Sequence, residues 1–282
     1  MKILVTGAAG RLGSSVIAHL ANTHEIIAHD VKPRPESLPE SVRYEQGDLR
    51  DHEQLKAIAK GVETIVHLGA IPGRIREMRQ SELYEINVQG TYNVLEAAQH
   101  VGARNVVLAS SLCAMGLPDS LDNHGLAYLP LDEAYPCRPR HTYDLTKLLN
   151  EVTAETFSRT TGVATICLRF PALVDVATCD RFERQMNKQP SPLVLGDYLD
   201  MADAVRCIDV AMNNRSVVHD VFFVHAPTIG VLMPTPEHLK RLSPMVDWRG
   251  DPPGETTPLI KTDRIREKLG FEAEVTWQAV LT

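Results

Sequence analysis

The sequence predicts an α/β protein: a doubly wound parallel sheet followed by a small C-terminal substrate-binding lobe. Three observations predict it. Residues 1–13, MKILVTGAAGRLG, read as an apolar strand, a glycine-rich turn and the start of a helix. Apolar runs then alternate with helix-length segments five times in order, the pattern of parallel strands joined by crossover helices. After Phe170 the pattern loosens, and residues 227–258 hold seven of the 18 prolines, as in a loop-rich cap.

The first strand ends in Gly7-Ala8-Ala9-Gly10-Arg11-Leu12-Gly13, and Val16, Ile17 and Leu20 then share one helix face. Gly7 suits a tight turn, and Gly10 lets the backbone approach a pyrophosphate. The free N–H groups of the helix start would face that anion. Glu25–Ala28 lies in a second strand that ends at Asp30, 23 residues after Gly7. A carboxylate there meets ribose hydroxyls and repels a 2′-phosphate, which favours NAD. Lys32 and Arg34 soften that preference, and a plain loop carboxylate is the simpler alternative. Val42–Tyr44 is a short third strand. Asp48 either faces an adenine or caps the helix that runs to Lys60.

Thr64–Leu68 is the fourth strand, and Gly69 and Ala70 after it allow a close backbone approach. Arg74, Arg76 and Arg79 follow. They form either a solvated face or, beyond a strand's carboxyl end, an anion site. A helix is expected over residues 84–100, stopped by Gly102. Asn105–Ala109 is the fifth strand, leading to Ser110 and Ser111. A proline-punctuated loop over 118–140 precedes a helix from His141 to about Arg159. Gly162 ends it, and Val163–Leu168 is the sixth strand. A helix over 200–212, a strand over 218–224 and a last helix from Thr262 to Leu269 complete the reading. The expected division is a nucleotide-binding unit of residues 1–168 and a smaller lobe of 169–282, partly interleaved with the sheet.

Tyr143 and Lys147 lie four apart on one helix, so they share a face. An ammonium beside a phenol favours the phenolate and makes Tyr143 a usable acid/base. Ser111, at the end of a neighbouring strand, can hold the reacting oxygen.

Bulk properties agree with an ordinary globular chain. Hydrophobic residues make up 44% and charged residues 23% of the 282. The net charge of −7 argues against a general nucleic-acid binder. The five cysteines are scattered with no CxxC pair, which argues against a disulfide framework and suits a cytoplasmic setting. No leader precedes the first strand, and no apolar stretch is long enough for a membrane span. The eleven histidines form no HxH or HExxH motif, so no metal site is expected. His141 reads as a surface residue. Asp197, Asp200 and Asp203 read as helix-start residues.

Taken together, these motifs resemble the extended short-chain dehydrogenase/reductases, the NAD-dependent epimerase/dehydratase family, over nearly the whole chain. TGAAGRLG matches TGxxGxxG, TYDLTK resembles the YxxxK segment, and LASSLCAMG resembles the strand that carries the catalytic Ser or Thr. GDLRD, HLGA, Asn87, LRFPALV, LGDYLDMADAVRCI and TDRIREKLGF fall at other family blocks. The resemblance implies a Rossmann fold. It implies that Gly7, Gly10, Arg11, Leu12, Gly13 and Asp30 hold NAD. Asp48, Leu49, Leu68, Gly69, Ala70 and Asn87 would line the same site. Tyr143 would be the acid/base, Lys147 would bind the nicotinamide ribose, and Ser111 would orient the substrate oxygen. A homodimer through the helices at 84–100 and 143–159 is implied as well.

Two departures bear on the substrate. Ala172 stands where many nucleotide-sugar enzymes of the family carry Asn, and the C-terminal lobe is short. The short lobe is more similar to uronate dehydrogenases, which hold a substrate carboxylate with an arginine near the place of Arg181. The expectation is therefore an NAD-dependent oxidoreductase acting on a small carbohydrate-type molecule, with an anionic group met by Arg74 or Arg181. The alternatives are a nucleotide-sugar epimerase or dehydratase, and a non-catalytic dinucleotide sensor. Retention of Tyr143, Lys147 and Ser111 argues against the sensor.

Overall fold

The structure, a computed structural model, describes residues 1–73, 78–117, 126–186, 195–242 and 246–280. Its strands are β1 (Lys2–Thr6), β2 (Glu25–Asp30), β3 (Arg43–Gln46), β4 (Thr64–His67), β5 (Asn105–Ser111), β6 (Ala164–Phe170), β7 (Ala172–Val174), β8 (Tyr198–Asp200) and β9 (His219–Phe223). Seven form one parallel sheet in the order β3-β2-β1-β4-β5-β6-β9. The order reverses beside β1, so the crevice at the carboxyl ends of β1 and β4 is the expected ligand site. β7 and β8 pair as a separate parallel ribbon.

The helices are α1 (Arg11–Leu20), α2 (His52–Ile58), α3 (Gln80–Tyr84), α4 (Gly90–Val101), α5 (Thr142–Thr161), α6 (Cys179–Met186), α7 (Met201–Asn213), α8 (Thr235–Leu242), α9 (Asp263–Leu269) and α10 (Trp277–Val280). A π-helical turn, Glu85–Gln89, joins α3 to α4, so the helix expected from residue 84 begins four residues earlier and carries a bulge. Left-handed glycines close α4, α5 and α9: Gly102 at φ 67°, Gly162 at 79° and Gly270 at 70°. Each is a C-terminal stop that only glycine adopts without strain.

Both sheet faces are covered. On one, Ile3, Val5, Val16 and Ile17 pack with Ile208 and Met212 of α7 and with Ile265 of α9. On the other, Leu4, Ile65 and Val106 pack with Leu55 of α2, Leu95 of α4 and Phe157 of α5. Ile3, Leu4 and Leu95 are fully buried, and a buried aliphatic side chain of this size contributes roughly 1.5–3 kcal/mol. A third cluster, including Leu129, Leu131, Phe223 and Ile260, packs the segment after β5 against residues of β9 and beyond, and the bridges Leu129–Trp248 and Leu131–Ile260 tie these loops together. No helix among the described residues is long and apolar enough to cross a membrane.

Candidate active site

The glycine turn sits at the carboxyl end of β1, pressed against the end of β4. Gly7 has φ 71°, and a Cβ there would lie 2.6 Å from Gly69 N. A Cβ on Gly13 would lie 2.1 Å from Gly7 O, so the helix start rests directly on the turn. The first helical hydrogen bond is Ser14 N to Gly10 O, at 2.9 Å. It leaves the N–H groups of Arg11, Leu12 and Gly13 without an acceptor among the described residues, as at any helix start. Three converging donors beside a glycine turn fit the pyrophosphate of a dinucleotide.

Asp30, at the end of β2, is fixed against the same turn. Its carboxylate accepts from Ala9 N at 2.9 Å and from Lys32 N at 3.0 Å. Arg34, the nearby cation, donates instead to the carbonyls of Val42, Leu38 and Pro39 at 2.8, 3.3 and 2.7 Å. Asp48 does not cap α2; Asp51 does, accepting from Gln54 N at 3.0 Å. The Asp48 carboxylate is gripped instead by the Arg50 guanidinium at 2.6 Å, which holds its pKa below the usual range. Leu49 is buried against Gly69 and Gly90, and Leu68, Gly69 and Ala70 form the rim after β4.

Ser111, Tyr143 and Lys147 come together at the carboxyl end of β5. The Ser111 hydroxyl acts on the Tyr143 phenol, and Ser111 Oγ accepts from Cys113 N at 3.1 Å. Lys147 Nζ donates to Ala109 O at 2.7 Å and lies 5.8 Å from the centre of the Tyr143 ring. Burial lowers the Lys147 ammonium to about 8, against the opposing charge of Glu151. Burial also pushes the Tyr143 phenol well above its ordinary value, with the nearby Cys113 thiol adding to the rise and Ser111 opposing it. This differs from the expected lowering by Lys147. Desolvation of the phenolate outweighs a lysine whose own charge is disfavoured by burial.

The wall behind this face is a polar weave that the sequence pattern does not display. Asn87, in the π turn, is fully buried and its amide is spent within the chain. Oδ1 accepts from Ile71 N at 2.8 Å, and Nδ2 donates to Ile71 O at 3.1 Å and to Thr146 Oγ1 at 3.2 Å. Asn87, expected to line the cofactor site, is thus a brace between β4's exit and α5. Asn150 Nδ2 donates to Asn87 O at 3.1 Å, a second tie between α5 and the π turn. Below Lys147, Glu151 accepts from Ser110 Oγ at 2.5 Å and from Arg169 Nε and Nη2 at 2.9 and 2.8 Å, all buried.

Of the arginines read as anion ligands, Arg79 and Arg181 lie among the described residues. Arg74 and Arg76 fall outside the described residues. Arg79 is exposed at the start of α3, and Arg181 is exposed on α6. Arg11 pairs with Asp175 at 2.6 Å, linking the glycine turn to the segment after β7. Besides Lys147, two acidic groups lie near this face. Asp144 is buried in the first turn of α5, where it accepts from His141 N at 3.3 Å. Asp197, just before β8, acts on Cys113 and is raised to about 6 by burial. Asp200 caps α7 through Ala202 N at 2.7 Å, and Asp203 accepts from Glu274 N and Val275 N at 2.8 Å, so these two are structural. Asp197, expected at a helix start, instead precedes β8, and Cys113 went unread because only the third dimension brings residue 197 beside residue 113.

Comparison with known proteins agrees with this geometry. The family model described as "NAD dependent epimerase/dehydratase family" matches residues 3–224. A putative UDP-glucose 4-epimerase of Methanocaldococcus jannaschii is 30% identical over 227 residues, covering 75% of this chain and 72% of that protein. The uronate dehydrogenase of Agrobacterium fabrum is 32% identical over 208 residues, covering 72% and 71%. A crystal structure of a short-chain dehydrogenase/reductase superfamily protein from Agrobacterium tumefaciens with bound NAD superposes with a TM-score of 0.75 at 27% identity. It covers 100% of this chain and 95% of that one. The glycine turn, the Ser111–Tyr143–Lys147 face and these likenesses lead to one conclusion: the chain belongs to the NAD-dependent epimerase/dehydratase family of extended short-chain dehydrogenase/reductase enzymes.

Proposed function

We propose that this enzyme oxidises a carbohydrate-type substrate, a sugar or sugar acid, with Tyr143 as the proton acceptor. The observation that carries the reading is the gathering of Ser111, Tyr143 and Lys147 at the carboxyl end of β5, where the Ser111 hydroxyl acts on the Tyr143 phenol and Lys147 Nζ lies 5.8 Å from the centre of its ring. A substrate hydroxyl placed against both oxygens gives its proton to Tyr143 while Ser111 holds its oxygen. Bound NAD supplies the hydride acceptor and, in its oxidised form, a positively charged ring. Burial keeps the Tyr143 phenol protonated in the free chain, so its ionisation calls for positive charge beyond that of Lys147. The Gly7–Gly13 turn would bind the pyrophosphate and Asp30 the ribose hydroxyls. Arg34, committed to three carbonyls, is not available to neutralise a 2′-phosphate, which supports NAD over NADP.

The likeness to the uronate dehydrogenase supports a small substrate. The likeness to the putative UDP-glucose 4-epimerase supports a second reading, a nucleotide-sugar epimerase that retains its NAD. A panel of sugars, sugar acids and nucleotide sugars assayed with NAD separates the two. Oxidation accumulates NADH in proportion to product, whereas epimerisation turns over substrate with no net NADH. Absence of both activities across the panel, with NAD bound, would overturn the catalytic reading.

A further inference from the structure

His67 is the last residue of β4 and only 5% exposed, yet neither of its ring nitrogens is idle. Its register partners are Thr6 on β1 and Leu108 on β5, which places it beneath the ligand crevice. Nδ1 lies 2.7 Å from Thr6 Oγ1, and that oxygen also accepts from Gly69 N at 3.3 Å. Gly69 is the residue on which Gly7 rests, so this end of the ring holds the floor of the glycine turn. Nε2 lies 3.0 Å from Thr91 Oγ1, which donates to Asn87 O at 2.7 Å.

These bonds fix the direction of every link. Thr91 has one hydroxyl hydrogen, and Asn87 O takes it, so Thr91 only accepts from His67. Nε2 therefore carries the hydrogen. The ring is neutral at working pH, since burial and the Lys147 charge push it down to about 3. Nδ1 is then an acceptor, and Thr6 donates to it. On the far side, Asn87 Nδ2 donates to Thr146 Oγ1 at 3.2 Å, and Thr146 donates to Tyr143 O at 2.7 Å.

We propose that His67 is a positioning residue that aligns the dinucleotide turn with the helix turn carrying Tyr143. The neutral Nε2–H tautomer bridges Thr6 to Thr91, so the cradle and the acid/base move as one rigid unit. The proposal deepens the assignment of Tyr143 as proton acceptor and rests on it for its effect on turnover.

Two substitutions break one link each. His67→Asn keeps an acceptor near the Nδ1 position and removes the donor to Thr91. His67→Gln keeps a donor near the Nε2 position and removes the acceptor for Thr6. NAD affinity is measured by calorimetry on the substrate-free protein, and kcat by NADH formation at saturating NAD. His67→Asn is expected to lower kcat by about five- to tenfold, the effect of roughly one buried hydrogen bond, with a smaller change in NAD affinity. His67→Gln is expected to show the opposite split, with NAD affinity falling about five- to tenfold and kcat falling less. Equal proportional losses in both variants, or no loss in either, would overturn the proposal. If a His67 variant fails to fold, Thr91→Val and Thr6→Val cut the same two links and carry the same expectations. Wild-type turnover in Tyr143→Phe would instead defeat the assignment of Tyr143, and the calorimetric comparison would still decide the link to the glycine turn.

Discussion

Lys147 places catalysis and stability in opposition, and replacing it by methionine makes the conflict measurable. The side chain is 5% exposed, and burial lowers its ammonium from 10.5 to about 8. Between those values the unfolded chain holds a proton that the folded chain has released. Folding is therefore disfavoured in full below about pH 8, and the penalty fades as pH climbs towards 10.5. At roughly 1.4 kcal/mol for each pH unit, the penalty at neutral pH is about 3 kcal/mol. Lys147→Met removes it and loses the bond to Ala109 O, which costs about 1 kcal/mol. The variant should be more stable than wild type by about 2 kcal/mol at pH 7. For 282 residues, at about 2.1 cal/mol/K each, that raises Tm by about 3 °C. Calorimetric melting of both proteins, free of NAD, from neutral to alkaline pH gives the difference curve, in which other titrations cancel. The gap should close as pH rises through the window between about 8 and 10.5, while turnover is lost throughout. A variant less stable than wild type at pH 7, or a gap that does not vary with pH, would refute the reasoning.

Other expectations follow from the same geometry. Tyr143→Phe keeps the ring and removes the oxygen, so turnover should fall by ~10²–10⁴ with NAD affinity nearly unchanged, as measured by steady-state kinetics and calorimetry. Since burial holds the phenol above its ordinary value, wild-type turnover should rise with pH along a limb that Tyr143→Phe lacks. Asp30→Ala should narrow the preference for NAD over NADP in fluorescence titrations; tighter NADP binding by the wild type would contradict the role given to Asp30. Arg169→Met leaves the Glu151 carboxylate buried with Ser110 alone, and should destabilise by about 3–5 kcal/mol in urea melts. Tyr84, Tyr92, Leu145 and Val152 are exposed apolar residues on α3, α4 and α5, and the expected homodimer would cover them. Equilibrium sedimentation at micromolar concentration should find a dimer, and a monomer would contradict it.

What the sequence displayed was whatever depends on neighbours along the chain. The apolar runs of β1, β4 and β5, the glycine stops at 102, 162 and 270, and the i,i+4 pairing of Tyr143 with Lys147 are all local patterns. The strand after Gly162 and the helix capped by Asp200 were equally readable. The hidden parts depend on distant pairing. β7 and β8 have three residues each, too short to show alternation, and exist because residues 172 and 198 meet. α6 and α8 are short, mostly polar helices of eight residues that sit between loops, so each offers only two or three buried positions to read. The roles of Asp48 and Asn87 turned on which partner came within reach: Arg50 for one, Ile71 and Thr146 for the other. The direction of the Tyr143 shift was missed because burial is invisible in spacing.

The last strand of the sheet has a consequence for how the chain is made. β9 pairs with β6 only after an excursion of roughly fifty residues, and α7 within that excursion seals the face of β1 and α1. A nascent chain ending at residue 168 would present Ile3, Val5, Val16 and Ile17 without the cover of Ile208, Met212 and Ile265. Loop-closure entropy must be met before that cover arrives, so completion of the nucleotide-binding face waits on the last quarter of synthesis. Until then the emerging polypeptide carries an uncovered apolar surface, the condition under which chaperone engagement competes with aggregation.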